Sequence, residues 1–238
     1  MKKFIEPGVV SVFVADRSRM AGQLMATALR VGPYSTTVVG SAVTSAEVIS
    51  GLRKTPADVV LISPFLADGP TAGLKIIREV RSSNPETDVI VLIDAIERAI
   101  VTEAFQSGAV GILCRDESFE VLCKCIHAVH EGQVWANSET LRMVLDALTQ
   151  MPRAINLQIR NGKSGKLLTK REEDLVHLVA EGLTNRDISK QLNLSEHTVR
   201  NYLFRIFNKL GTANRLELAV YALNRREENQ GNPPDSEN

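Results

Sequence analysis

SEHTVRNYLFRIFNKL, residues 195–210, reads as one helix with two faces. Ser195 has the side chain of an N-cap, and Gly211 follows the last apolar residue as a C-terminal stop. Val199, Tyr202, Leu203, Ile206 and Leu210 recur at helical spacing and form a single stripe. His197, Arg200, Asn201, Phe204, Arg205 and Asn208 fall on the opposite side. That side combines positive charge, amide donors and an aromatic ring, the chemistry of a helix that enters a DNA major groove. An ordinary amphipathic surface helix has the same pattern, so the neighbouring segments decide.

Those neighbours are short, capped helices. Thr169-Lys170-Arg171-Glu172 is a capping box ahead of Leu175, Leu178 and Val179, and Gly182 stops that helix. Thr184 caps a second helix, with Asp187 three residues on, through Ile188 and Leu192. Asn193-Leu194 is a turn. Asn214 and Glu217 open a fourth helix with Leu216, Leu218, Ala219, Ala222 and Leu223 as its apolar positions. Helix, turn of about three residues, then a basic-faced helix is the helix-turn-helix arrangement. Charge agrees: residues 166–226 hold 11 basic and 7 acidic side chains, while residues 1–165 hold 17 of each. The basic excess therefore sits in the one segment expected to meet phosphates.

Upstream, short apolar runs alternate with helical periodicity. Strands are expected at Val9–Ala15, Thr36–Val39, Asp58–Ile62, Asp88–Ile93 and Gly111–Cys114. Helices are expected at Ser18–Leu29 (through Met20, Leu24, Met25 and Leu29), Ser45–Lys54, Thr71–Ser82, Ile96–Ser107 and Ser118–Glu131. Short buried strands in five β-α units call for a five-stranded, doubly wound parallel sheet of flavodoxin-like type. The fold class is thus α/β plus all-α, the sheet domain preceding a four-helix domain. Ligands of such sheets lie at the carboxyl ends of the strands.

Leu168–Arg226, from LTKRE through EGLTNRDIS and SEHTVRN to KLG-x-x-NR, resembles a LuxR-type helix-turn-helix domain along its whole length. Residues 8–130 resemble the receiver domain of bacterial two-component response regulators: VFVAD ends at Asp16, ADVVLI spans 57–62, and AFQSGAVGIL spans 104–113. Together they resemble the NarL/FixJ class. By position, the resemblance implies base contacts from Arg200 and Asn201, and phosphate contacts from Arg205 and Lys209. It implies phosphate contacts from the helix starts Thr184, Asn185 and Ser195, with Thr198 beside them and His197 in either role. Phe204 stands where a small or basic residue is more usual; it contacts a thymine methyl or packs on another protein surface. Ala219, Ala222 and Leu223 serve a dimer contact or the core.

Receiver chemistry requires two acids after strand one, a phospho-accepting aspartate after strand three, a hydroxyl after strand four and a lysine after strand five. Here Arg17, following Asp16, stands in place of the second acid. Ser63 stands in place of the acceptor aspartate, Ile93 (or Asp94, one register on) in place of the hydroxyl, and Arg115 in place of the lysine. One carboxylate flanked by two arginines is a poor Mg²⁺ site. A pseudo-receiver that takes no phosphoryl group is therefore expected. Its pocket would hold an Asp16–Arg115 salt bridge, or an anion on Arg17, Ser63 and Arg115. Asp68, in the loop after strand three, is offset from the acceptor position.

The expected organisation is a receiver-like domain at 1–132, a linker at 133–166 with a short helix at 138–150, a DNA-binding domain at 167–226 and an acidic disordered tail at 227–238. The glycine-lysine-serine run at 162–164 lacks the flanking glycine and strand of a phosphate loop. Cys114, Cys123 and Cys125 are odd in number and read as reduced thiols rather than a metal site. No signal peptide or membrane-spanning run is present, so a cytoplasmic protein is expected. No nucleophile-base pair or metal cluster points to an enzyme, and no cofactor is expected. The sequence thus predicts a regulator that binds double-stranded DNA as a homodimer, with RNA polymerase or a signalling protein as further partners. The rival is a protein-interaction module with a vestigial DNA-binding domain.

Overall fold

In the computed structural model, which describes residues 9–31, 35–150 and 168–230, Val10–Ala15 form β1 and all six residues are buried. A strand covered on both faces needs helices on both sides of its sheet. The chain supplies them in alternation: α1 (Arg19–Val31), β2 (Thr36–Ala42), α2 (Ser45–Lys54), β3 (Val59–Ile62), α3 (Ala72–Ser83), β4 (Asp88–Ile93), α4 (Arg98–Gln106), β5 (Gly111–Cys114) and α5 (Phe119–His130). The strands lie in the order β2-β1-β3-β4-β5, and every pairing is parallel. The winding reverses between β1 and β3, so a pocket opens where their carboxyl ends diverge. Ala26 and Leu29 of α1 and Leu122, Ile126 and Val129 of α5 pack on one face, against Val12, Val14, Leu61 and Ile90.

Two local features differ from what periodicity predicts. Met20 and Leu24 are 70% and 64% exposed, and α1 instead buries Gly22, Ala26 and Leu29. Small residues let the helix lie close to β1, where a Cβ on Gly22 would already touch Val14 at 3.8 Å. β2 continues past Val39 to Ala42, with a register shift between Val12 and Phe13. The Phe13 ring seats over Gly40 of β2 and Gly51 of α2; a Cβ would approach it within 2.5 Å and 2.7 Å respectively.

After α5, Trp135 adds a one-residue parallel bridge to β5, its N–H donating to Val110 and its carbonyl accepting from Ile112. Asn137 caps α6 (Ser138–Gln150) by accepting from the Thr140 N–H at 2.8 Å. α6 packs on α4, with Val144 buried and Arg98 3.8 Å from Asp146. The first compact unit therefore runs from Met1 to Gln150, beyond the boundary expected at residue 132. The rest of the expected linker, its glycine-lysine-serine run included, and the tail beyond residue 230 lie outside the described residues.

The second unit, Met151–Asn238, holds α7 (Lys170–Ala180), α8 (Asn185–Leu192), α9 (Glu196–Leu210) and α10 (Arg215–Gln230). Leu175, Leu178, Val179, Ile188, Val199, Leu203, Ile206 and Leu218 form its core. Asn193, in the left-handed region at φ 52°, turns the chain from α8 into α9. Among the described residues no helix is long and apolar enough to cross a membrane.

Candidate nucleic-acid interface

Each helix of the second unit begins on a side-chain cap. Thr169 accepts from the Glu172 N–H at 3.3 Å while Glu172 accepts from the Thr169 N–H at 2.8 Å, a full capping box. Thr184 accepts from the Asp187 N–H at 3.2 Å, and Ser195 from the Thr198 N–H at 3.0 Å. Asn214 accepts from the Glu217 N–H at 3.0 Å. These bonds satisfy donors that a helix start otherwise leaves open.

Three cations then join the helices. Lys209, near the end of α9, donates to both carboxylate oxygens of Glu172 at 2.7 and 2.6 Å. Arg171 of α7 donates to the Leu192 carbonyl at the end of α8. Arg215 of α10 donates to the Leu183 carbonyl and, at 3.3 Å, to the Asn185 side-chain oxygen at the start of α8. α8 is thus held at both ends, and α9 is tied back to α7. Burial pushes the Glu172 carboxyl up, but Lys209 and Thr169 outweigh it and hold its pKa below the ordinary carboxylate value.

This geometry sorts the residues expected at DNA. Val199, Leu203 and Ile206 are buried, with Tyr202, Phe207 and Leu210 packed beside them. Arg200, Asn201 and Phe204 are half-buried, and His197 and Arg205 are exposed. The Arg205 guanidinium lies 5.9 Å from the Tyr202 ring centre. Lys209 and Asn185 turn inward: Lys209 is bound to Glu172, and Asn185 is 3% exposed. The Thr184 hydroxyl donates to Asp187 at 2.6 Å, and this bond leads the causes that lower the Asp187 pKa. A charged Asp187 beside that helix start opposes a phosphate there. The Ser195 hydroxyl lies 2.8 Å from the Thr198 hydroxyl. On α10, Ala222 is core and Leu223 is 48% exposed. The structural roles of Arg171 and Arg215 had no separate signal in the sequence; each looked like one more basic side chain.

At the carboxyl ends of the first unit's strands, Asp16 is 4% exposed and accepts from the Ser18 N–H at 2.9 Å. Arg115 donates to its other oxygen at 2.5 Å and lies 3.4 Å from Asp94. Ser63 is buried, and its hydroxyl accepts from the Phe65 N–H at 3.3 Å. Ile93 is buried and Arg17 is exposed. The pocket has the ion pair, and of the two arginines in the anion alternative Arg115 is already engaged by two carboxylates. Asp68 accepts from the Ser45 N–H at 3.1 Å at the start of α2.

Comparison with known proteins places these two units. The family model described as bacterial regulatory proteins, luxR family, matches residues 166–222. The uncharacterized transcriptional regulatory protein YhcZ of Bacillus subtilis is 30% identical over 186 residues, which cover 78% of this chain and 83% of YhcZ. The DNA-binding transcriptional activator DevR/DosR of Mycobacterium tuberculosis is 28% identical over 216 residues, 90% of this chain and 94% of that one. The structure of the RcsB response regulator of Salmonella typhimurium shares the fold at a TM-score of 0.51 and 22% identity, covering 89% of this chain and 98% of RcsB. RcsB has also been solved as dimers bound to DNA. The five-stranded parallel sheet, the four-helix unit and these likenesses agree: the chain belongs to the luxR family of bacterial regulatory proteins and is a DNA-binding transcriptional regulator of the response-regulator type.

Proposed function

We propose that the chain binds specific double-stranded DNA as a homodimer through α9, and that its first unit acts without phosphorylation. The outward side of α9 carries this reading. Arg200 and Asn201 lie there side by side on a helix whose other side is fastened to the core. Arg suits the O6 and N7 acceptors of guanine, and Asn suits the N6 and N7 pair of adenine. Arg205 is the phosphate contact on the same side, and the backbone N–H groups at the start of α9 add to it. Dimerisation is supported by the exposed Leu223 of α10 and by the DNA-bound dimers of RcsB.

The composition of the pocket supports the second half of this reading. A Mg²⁺ ion there would have one buried carboxylate, already bound by a guanidinium, so the residues do not fit the metal. Ser63 cannot form an aspartyl phosphate.

Sequences selected from a random duplex pool by the full chain test the first half of the proposal. Arg200→Ala and Asn201→Ala should each weaken the selected duplex by about 1–3 kcal/mol and relax one position of its preference. Unchanged affinity and preference in both variants would remove the assignment.

A further inference from the structure

Phe204 is the aromatic residue of α9 that the fold leaves out. Tyr202 and Phe207 pack against the core of the second unit, whereas Phe204 is half-buried and outside that core. It lies one turn beyond Arg200 on the side of the helix that carries Asn201. The ring has no donor or acceptor. In the major groove, the base-edge group that an apolar side chain can recognise is the 5-methyl of thymine. Arg205, exposed beside it, supplies the charge that would hold this side of the helix on the phosphates.

We infer that Phe204 reads a thymine methyl in the major groove, an inference that rests on α9 being the recognition helix. Arg200 and Asn201 then identify bases by hydrogen bonds, and Phe204 identifies one by the methyl that cytosine lacks.

The test uses the full chain and a duplex selected from a random pool, with each thymine replaced in turn by deoxyuridine. That exchange deletes the methyl and leaves every hydrogen-bonding group in place. One position should lose about fourfold in affinity, the effect of one buried methyl. Phe204→Ala should bind the thymine and uracil duplexes equally, and Phe204→Gln should do the same. A selected duplex indifferent to uracil at every thymine overturns the inference, as does a uracil penalty that survives in either variant; this last result leaves Phe204 to a protein contact. Failure to select any sequence would instead remove the recognition-helix reading itself.

Discussion

The Lys209 ammonium sits on both carboxylate oxygens of Glu172, at 2.7 and 2.6 Å, thirty-seven residues away along the chain. Glu172 also closes the capping box at the start of α7. One carboxylate therefore fixes the first turn of α7 to the last turn of α9. Arg171 and Arg215 hold the two ends of α8 in the same manner, by donating to open carbonyls. Three of the second unit's cations thus act inside the fold, and the basic excess of that segment overstates its phosphate footprint.

Lys209→Met should lower the stability of the second unit without changing how salt affects DNA binding. Glu172 is buried while Lys209 is partly exposed, so removing the lysine leaves a largely buried carboxylate uncompensated, at a cost of about 1–3 kcal/mol. A phosphate contact behaves otherwise: its loss lowers the slope of log affinity against log salt by about one. Arg205→Ala should show that lower slope with little loss of stability. A reduced slope in Lys209→Met at wild-type stability would return Lys209 to the DNA side.

Glu172 also gives the second unit an acid limit. Its pKa in the folded chain lies below the ordinary value. Its contribution is therefore present above the unfolded-state pKa, about 4.3 for glutamate, and is lost as pH falls through the folded value. Denaturation of the wild type and of Glu172→Gln, followed from pH 7 downward, should give curves that converge in acid. Parallel curves across that range would separate acid stability from this carboxylate.

The sheet and the ends of its strands were legible because their signals are local. VVLI in β3 is a short apolar run rich in β-branched residues, and Asp16 and Arg115 each follow directly on a strand. Parallel topology then brings those ends together. The buried side of α1 was not legible, since Gly22 and Ala26 carry almost no hydrophobic signal while Met20 and Leu24 carry a strong one. The docking of α6 on α4 depends on contacts between distant segments. In α9, spacing separated the packed side from the outward side, but nothing in it could tell that Lys209 turns inward and Arg205 stays out. That choice is made by Glu172, which periodicity marks only as a cap.

Gly40→Ala and Gly51→Ala should each destabilise the first unit by about 1–3 kcal/mol, the usual cost of overpacking. Both new methyls would run into the Phe13 ring. Phe13→Leu should therefore cost less in either alanine background than in the wild type, which a double-mutant cycle of urea melts would reveal. Additive effects would mean that the ring is not what excludes the methyl.

Acetyl phosphate with Mg²⁺ should leave the intact mass of the chain unchanged, and Ser63→Asp should not restore modification. The new carboxylate would have Asp16 beside it, but Asp16 is held by Arg115 at 2.5 Å and by the Ser18 N–H. The position of the second acid that would complete a Mg²⁺ site is occupied by the cation Arg17. Without the metal, charge on the transferred phosphoryl group goes unneutralised. Restoring the chemistry should require Ser63→Asp together with Arg17→Asp and Arg115→Lys, which rebuild the acids and shorten the cation. A gain of one phosphoryl group on the wild type would overturn phosphorylation independence. The same gain on Ser63→Asp alone would show that the Asp16–Arg115 pair does not block the metal.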